Sequence, residues 1–165
     1  MLKFQTRVMV ATYVLSDVLA TLAAWLLAYA LRFHVLSDVV PVTKGVPPLA
    51  DYLLLLPLMG VLWPTVLYFH GLYRPRRGRS LIDELFAIVF SVLIASAFTL
   101  GATLYVRVYY RYQPDVSPRW EFSQAVFAIF VVPDVLLLEL GRSAIRAWRE
   151  RQWAAGQDAA RVVVA

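Results

Sequence analysis

Four long apolar stretches dominate the sequence, and they restrict the fold more than any other feature does. A helix needs about 20 residues to cross roughly 30 Å of hydrocarbon. Four stretches reach or approach that length, at residues 8–31, 52–69, 85–106 and 122–140. The 165-residue chain is 61% hydrophobic and only 16% charged, whereas about 25% of the residues of a soluble domain are charged. The sequence therefore predicts an all-α membrane protein with a bundle of four transmembrane helices.

The first apolar stretch has two interpretations. Lys3 and Arg7 precede it, and Ala28 and Ala30 near its end resemble a signal-peptidase site. Its apolar region of 24 residues is longer than the 7–15 residues that are typical of a signal peptide. We therefore favour an uncleaved membrane anchor.

Basic residues are divided unevenly between the two sides of a four-span topology. Eleven Lys and Arg lie in the termini and in the loop between spans two and three, against five in the other two loops. The positive-inside rule then predicts that both termini are cytoplasmic. The net charge is +5, and the basic residues lie at the boundaries of the predicted spans. This distribution favours contact with anionic lipids and argues against a nucleic-acid partner.

The chain divides into three parts along the sequence. Residues 1–140 contain the four-helix transmembrane domain, residues 141–158 a cytoplasmic basic helix and linker, and residues 159–165 a Val-rich strand. A lone strand has no pairing partner. We therefore expect that this strand begins a truncated soluble domain.

The most informative short segment is GLYRPRRGRSLIDE at residues 71–84. Its arginines either set the topology and contact anionic lipid, or bind a phosphate-bearing ligand such as a lipid phosphate or a nucleotide diphosphate. We favour the first interpretation. The candidate lipid- or phosphate-contacting residues are Arg74, Arg76, Arg77 and Arg79.

A helix cap follows these arginines. Ser80 and Asp83 have the spacing of a capping box, and Glu84 complements the positive end of the helix dipole. Adjacent helix residues point about 100° apart, so Asp83 and Glu84 are not expected to converge on a metal ion. The sequence has no cysteine, no zinc-ligand spacing and no glycine-rich phosphate loop. We therefore expect neither a metal site nor a catalytic site.

Two acidic residues, Asp17 and Asp134, lie inside the predicted spans. An ionisable group inside a bilayer is energetically costly, so each of these acids is a candidate functional residue. On the four-span topology both acids lie in the cytoplasmic half, near the level of Ser91. They form a proton relay, a site for a substrate headgroup, or an intramembrane polar cluster that fixes helix packing. We favour packing, because the four predicted spans contain no Lys, Arg or His to accompany the acids.

The segments GLYRPRRGRSLIDEL and DVLATLAAWLLAYALRF resemble the N-terminal membrane domain of the large polyprenyl-phosphate hexose-1-phosphate transferases. These enzymes begin bacterial exopolysaccharide or O-antigen repeat units by transferring a sugar 1-phosphate from a nucleotide diphosphate sugar to a lipid phosphate. The resemblance implies a bacterial inner-membrane location. Anionic lipids, polyprenyl phosphate and a second copy of the chain are the candidate partners.

On this resemblance the chain is a membrane-anchoring domain that is inactive alone and holds no cofactor. The family's catalytic Asp-Glu pair has no matching positions here, and Mg²⁺ is expected only for the missing catalytic domain. Asp83 and Glu84 are not that pair. Two alternatives stay open: a stand-alone membrane scaffold for a polysaccharide assembly partner, and the anchor of a nucleotide-sugar 4,6-dehydratase, a family with a similar four-helix N-terminal part.

Overall fold

The computed structural model of the protein describes residues 2–37, 45–73, 80–111 and 122–154. Within these ranges the regular structure is helical, as the sequence predicts. The first helix, α1 (Leu2–Ala30), continues into a π-helical segment at Leu31–Val35. The helices are α1 (Leu2–Ala30), α2 (Leu49–Leu53), α3 (Leu56–Phe69), α4 (Leu81–Arg111) and α5 (Gln124–Ala154).

Four helical segments of the described chain are long and apolar enough to cross a membrane, with mean hydropathy from 1.8 to 2.3. They are Arg7–Val35, Leu49–Phe69, Leu81–Tyr109 and Gln124–Gln152. This confirms the four apolar helices that the sequence predicts and supports a multi-pass membrane protein. The predicted strand at residues 159–165 lies outside the described residues.

The second span is divided into α2 and α3 by a turn at Leu54 and Leu55. Pro57 lies in the first turn of α3, where the N–H group that proline lacks has no helical acceptor in any case. Pro64 and Pro133 lie inside α3 and α5. Both helices continue through these prolines.

The long helices form a ring in the order α1, α3, α4, α5, in which each helix packs against its two neighbours. One end of the bundle is closed by aromatic residues. The Trp25 indole N–H donates to the Tyr52 carbonyl at 3.0 Å, and the Tyr52 hydroxyl accepts the Ser123 backbone N–H at 3.1 Å. The Tyr29 hydroxyl donates to the Pro47 carbonyl at 2.8 Å.

Helix α5 runs without interruption across residue 140, where the sequence analysis ends the transmembrane domain. Gly141 lies against α1, and a Cβ atom added there would be 2.8 Å from Ser16 Oγ. The missing side chain therefore allows α5 to approach α1 closely. As a result, the packed part of the bundle extends beyond the last apolar run.

Candidate functional site

Five charged side chains from three helices meet at the end of the bundle where α3 ends and α4 begins. We call this group the ionic cluster. It consists of Asp17 from α1, Glu84 from α4, and Glu139, Arg142 and Arg146 from α5.

Arg142 is the centre of the ionic cluster and is only 1% exposed. Its Nη2 atom lies 2.5 Å from Asp17 Oδ2, and its Nη1 atom lies 3.3 Å from both Glu84 Oε1 and the Leu72 carbonyl oxygen. The rings of Tyr13 and Tyr73 lie 5.6 and 5.5 Å from the guanidinium carbon. Because a guanidinium is planar and has five N–H donors, it can serve several acceptors at once.

Burial raises the pKa of the Tyr73 phenol above its ordinary value. The hydroxyl is therefore protonated at neutral pH, and the ring covers Arg142 without adding a negative charge. Cations near aromatic rings are stabilised further when both are removed from water.

Arg146 forms the outer, partly exposed half of the ionic cluster. Its Nη1 atom lies 2.5 Å from Glu84 Oε2, and its Nη2 atom lies 2.8 Å from Glu139 Oε1. Residues four apart on a helix lie on the same face, so Arg142 and Arg146 both reach Glu84. This single carboxylate therefore joins two successive turns of α5 to the first turn of α4.

The ionic cluster contains three carboxylates and two guanidinium groups, which gives a formal charge of −1. Asp17 Oδ1, Glu139 Oε2 and Arg142 Nε have no hydrogen-bond partner within the described ranges. Buried charges are tolerated only when they are paired. The geometry therefore suits mutual neutralisation and helix positioning, because each guanidinium is occupied by carboxylates of the same chain.

Asp134 has a separate partner. It is fully buried in α5, where its Oδ2 atom accepts the Trp63 indole N–H at 2.5 Å. Thr21 of α1 lies beside the same carboxyl group. This contact links α3 to α5 across the bundle.

The residues of the predicted intramembrane polar cluster are all buried, but each has its own partner. Asp17 pairs with Arg142, Asp134 with Trp63, and the Ser91 hydroxyl donates to the Ala87 carbonyl of its own helix at 2.7 Å.

Contrary to the expectation from the sequence, Asp17 has a basic companion, Arg142. Arg142 lies two residues beyond the predicted fourth span, and the close contact of Gly141 with α1 places it against Asp17. The sequence shows that a glycine, Gly141, directly precedes Arg142, but the approach of Gly141 to Ser16 is seen only in the structure.

The predicted helix cap residues lie at the start of α4. Ser80 Oγ accepts the Asp83 backbone N–H at 3.2 Å. Glu84 lies in the first turn of α4, and its side chain also binds two arginines of α5, a role that the sequence analysis missed. The four predicted phosphate-contacting arginines between residues 74 and 79 lie outside the described residues.

Among the residues that the structure describes, no group of three or more His, Asp or Glu is placed to hold a metal ion. Comparison of the chain with protein-family models, with curated proteins and with solved structures gives no match.

Proposed function

We propose that the chain is the membrane-anchoring domain of a polyprenyl-phosphate sugar-1-phosphate transferase that begins bacterial exopolysaccharide or O-antigen synthesis. In this proposal the domain spans the inner membrane four times and has both termini in the cytoplasm. It holds a cytoplasmic catalytic domain close to the lipid phosphate that accepts the sugar phosphate. Tethering of this kind raises the effective concentration of an enzyme at its substrate.

One observation carries the proposal. The two segments that resemble the transferase family, residues 17–33 and 71–85, are far apart in sequence but meet at Arg142. Asp17 at the start of the first segment accepts one hydrogen bond from Arg142, while Leu72 and Glu84 in the second segment accept two more. A shared contact gives a physical reason for the two segments to occur together in one domain.

The arginine-rich segment has a role in the same proposal. Four arginines between residues 74 and 79 provide guanidinium groups that bind phosphate oxygens. At a cytoplasmic membrane surface they would attract anionic lipid headgroups, including polyprenyl phosphate. In this proposal catalysis and Mg²⁺ binding belong to the catalytic domain.

The gene itself provides the first test. Its sequence beyond codon 165 should encode a nucleotide-binding domain and then a transferase domain. A dehydratase domain at that place would overturn the proposal in favour of a dehydratase anchor, and a stop codon would overturn it in favour of a stand-alone scaffold.

A biochemical test uses membranes of the source bacterium. Membranes from a strain that lacks the gene should transfer less radiolabelled sugar 1-phosphate from nucleotide sugars into solvent-extractable lipid than parental membranes do. The full gene, supplied on a plasmid, should restore the labelled lipid. Equal labelling with and without the gene, for every nucleotide sugar that the parental membranes use, would contradict the proposal.

A further inference from the structure

Arg142 contacts both sides of the arginine-rich segment. Before that segment it donates to the Leu72 carbonyl at 3.3 Å and lies against the ring of Tyr73. After the segment it pairs with Glu84, also at 3.3 Å. The same guanidinium is bound to Asp17 of α1. One side chain of α5 therefore connects α1, the turn that follows α3, and the first turn of α4.

We propose that Arg142 is a positioning residue, which fixes the start of α4 relative to the end of α3 and sets the direction of α5 beyond residue 142. The inference goes beyond membrane anchoring, and it does not depend on sugar transfer. The test measures distances within the chain and no enzymatic activity, so a negative result would leave the proposed function untouched.

The shape of the side chain is essential to this role, because the charge alone could be supplied by lysine. The two terminal nitrogens of Arg142 point to different partners: Nη2 to Asp17, and Nη1 to both Glu84 and the Leu72 carbonyl. A lysine ammonium is a compact point charge and lacks the planar fork that reaches separated acceptors. Arg142→Lys therefore keeps the charge but loses contacts to at least one of the three connected elements.

The length of α5 makes its direction important. Helix α5 continues to Ala154, and at 1.5 Å per residue its part after Arg142 is about 18 Å long. Over that length, each tilt of about 10° moves the end of the helix by about 3 Å. The position of the described end of α5, at Ala154, therefore depends on how Arg142 holds the helix.

Pulsed electron spin resonance can measure these distances, because the chain contains no native cysteine. Spin-label pairs are introduced in the full chain in lipid nanodiscs at three exposed positions. The labelled substitutions are Phe69→Cys on α3, Ile82→Cys on α4 and Trp148→Cys on α5.

We expect Arg142→Lys to shift or broaden the 69–82 and 82–148 distance distributions. Trp148 lies about 9 Å beyond Arg142 along α5, so a tilt of α5 by about 20° would move it by about 3 Å. Arg151→Ala is the matched control, because Arg151 is an exposed arginine of the same helix, and it should leave all three distributions unchanged. Distributions for Arg142→Lys that superimpose on those of the parent protein would overturn the proposal.

Glu84→Gln keeps the proposal testable if Arg142→Lys fails to fold. This variant loses the ion pairs to α4, whereas Arg142 keeps Asp17, the Leu72 carbonyl and Tyr73. The 82–148 distribution should therefore broaden and the 69–148 distribution should not. If the 82–148 and 69–148 distributions of Glu84→Gln are both as narrow as in the parent protein, the positioning role is overturned. Equal broadening of the two distributions would also overturn it, because that result indicates a general loosening of the bundle.

Discussion

Removal of Arg142 should destabilise the protein more than removal of its partner Asp17. Arg142→Gln leaves three carboxylates in the ionic cluster with Arg146 as their one cation. It also removes the guanidinium that pairs with the buried Asp17. Breaking a buried ion pair by removing one partner costs about 3–5 kcal/mol. We therefore expect the free energy of unfolding of Arg142→Gln to fall by that amount.

Asp17→Asn should cost less, because Arg142 still has Glu84 at 3.3 Å. The expected loss is about 1.5–3 kcal/mol, the contribution of one hydrogen bond to a charged group. The double variant, Asp17→Asn with Arg142→Gln, retains Glu84, Glu139 and Arg146, so its formal charge is again −1. We expect it to be about 2 kcal/mol more stable than the sum of the two single losses predicts, within the range of measured coupling energies.

The assay is equilibrium unfolding of the purified chain in mixed micelles by titration with SDS. It is followed by tryptophan fluorescence, to which the buried residues Trp25 and Trp63 contribute. Arg151→Gln, at an exposed position of α5, is the control and should change the free energy of unfolding by no more than about 0.5 kcal/mol. Strict additivity of the two single variants would show that Asp17 and Arg142 do not stabilise each other. The central pair of the ionic cluster would then have no energetic role.

Three further predictions concern topology, packing and activity. With both termini cytoplasmic, a membrane-impermeant maleimide added outside cells should label Val46→Cys but not Gly78→Cys, and labelling of Gly78→Cys would reverse the predicted orientation. Gly141→Leu should destabilise the bundle by about 1–3 kcal/mol or more, as overpacking does, because even an added Cβ atom would lie 2.8 Å from Ser16 Oγ. The control is Gly101→Leu, where no atom lies within 4 Å of the added Cβ. Equal effects of the two substitutions on thermal unfolding would show that α1 and α5 do not need a glycine at position 141. The purified chain, incubated with nucleotide sugars, polyprenyl phosphate and Mg²⁺, should form no lipid-linked sugar, and turnover by highly purified material would contradict the assignment of catalysis to another domain.

The helical architecture was predictable because it depends on a property of each segment alone. A run of about 20 apolar residues satisfies its backbone in lipid only as a helix or in a closed barrel, and the four runs of this chain predict the four long helices of the structure. The Ser80 cap was predictable for the same reason, because it joins the serine hydroxyl to the backbone N–H only three residues later.

The pairing of Asp17 with Arg142 was not predictable in this way, because the two residues are 125 positions apart. Their contact depends on the register between α1 and α5, which is set by Gly141 against Ser16 rather than by hydropathy. The apolar stretch that predicts the fourth span ends at residue 140, so Arg142 is excluded from the predicted bundle. For a related reason, the sequence predicts for Glu84 only an interaction with the dipole of its own helix. Its partners, Arg142 and Arg146, lie on a helix that is distant in sequence.

The separation of Asp17 and Arg142 also has a consequence for biogenesis. Chains are synthesised at about 5–20 residues per second, so Asp17 exists for roughly 6–25 s before Arg142 is added. During that interval α1 must enter the membrane with an acid that has no guanidinium partner, at a cost of about 2.5–3.5 kcal/mol. The other residues of a 29-residue segment with mean hydropathy 1.8 can offset that cost. Among the described helices α5 is synthesised after the others, so it brings a guanidinium partner to an acid that is already in the membrane.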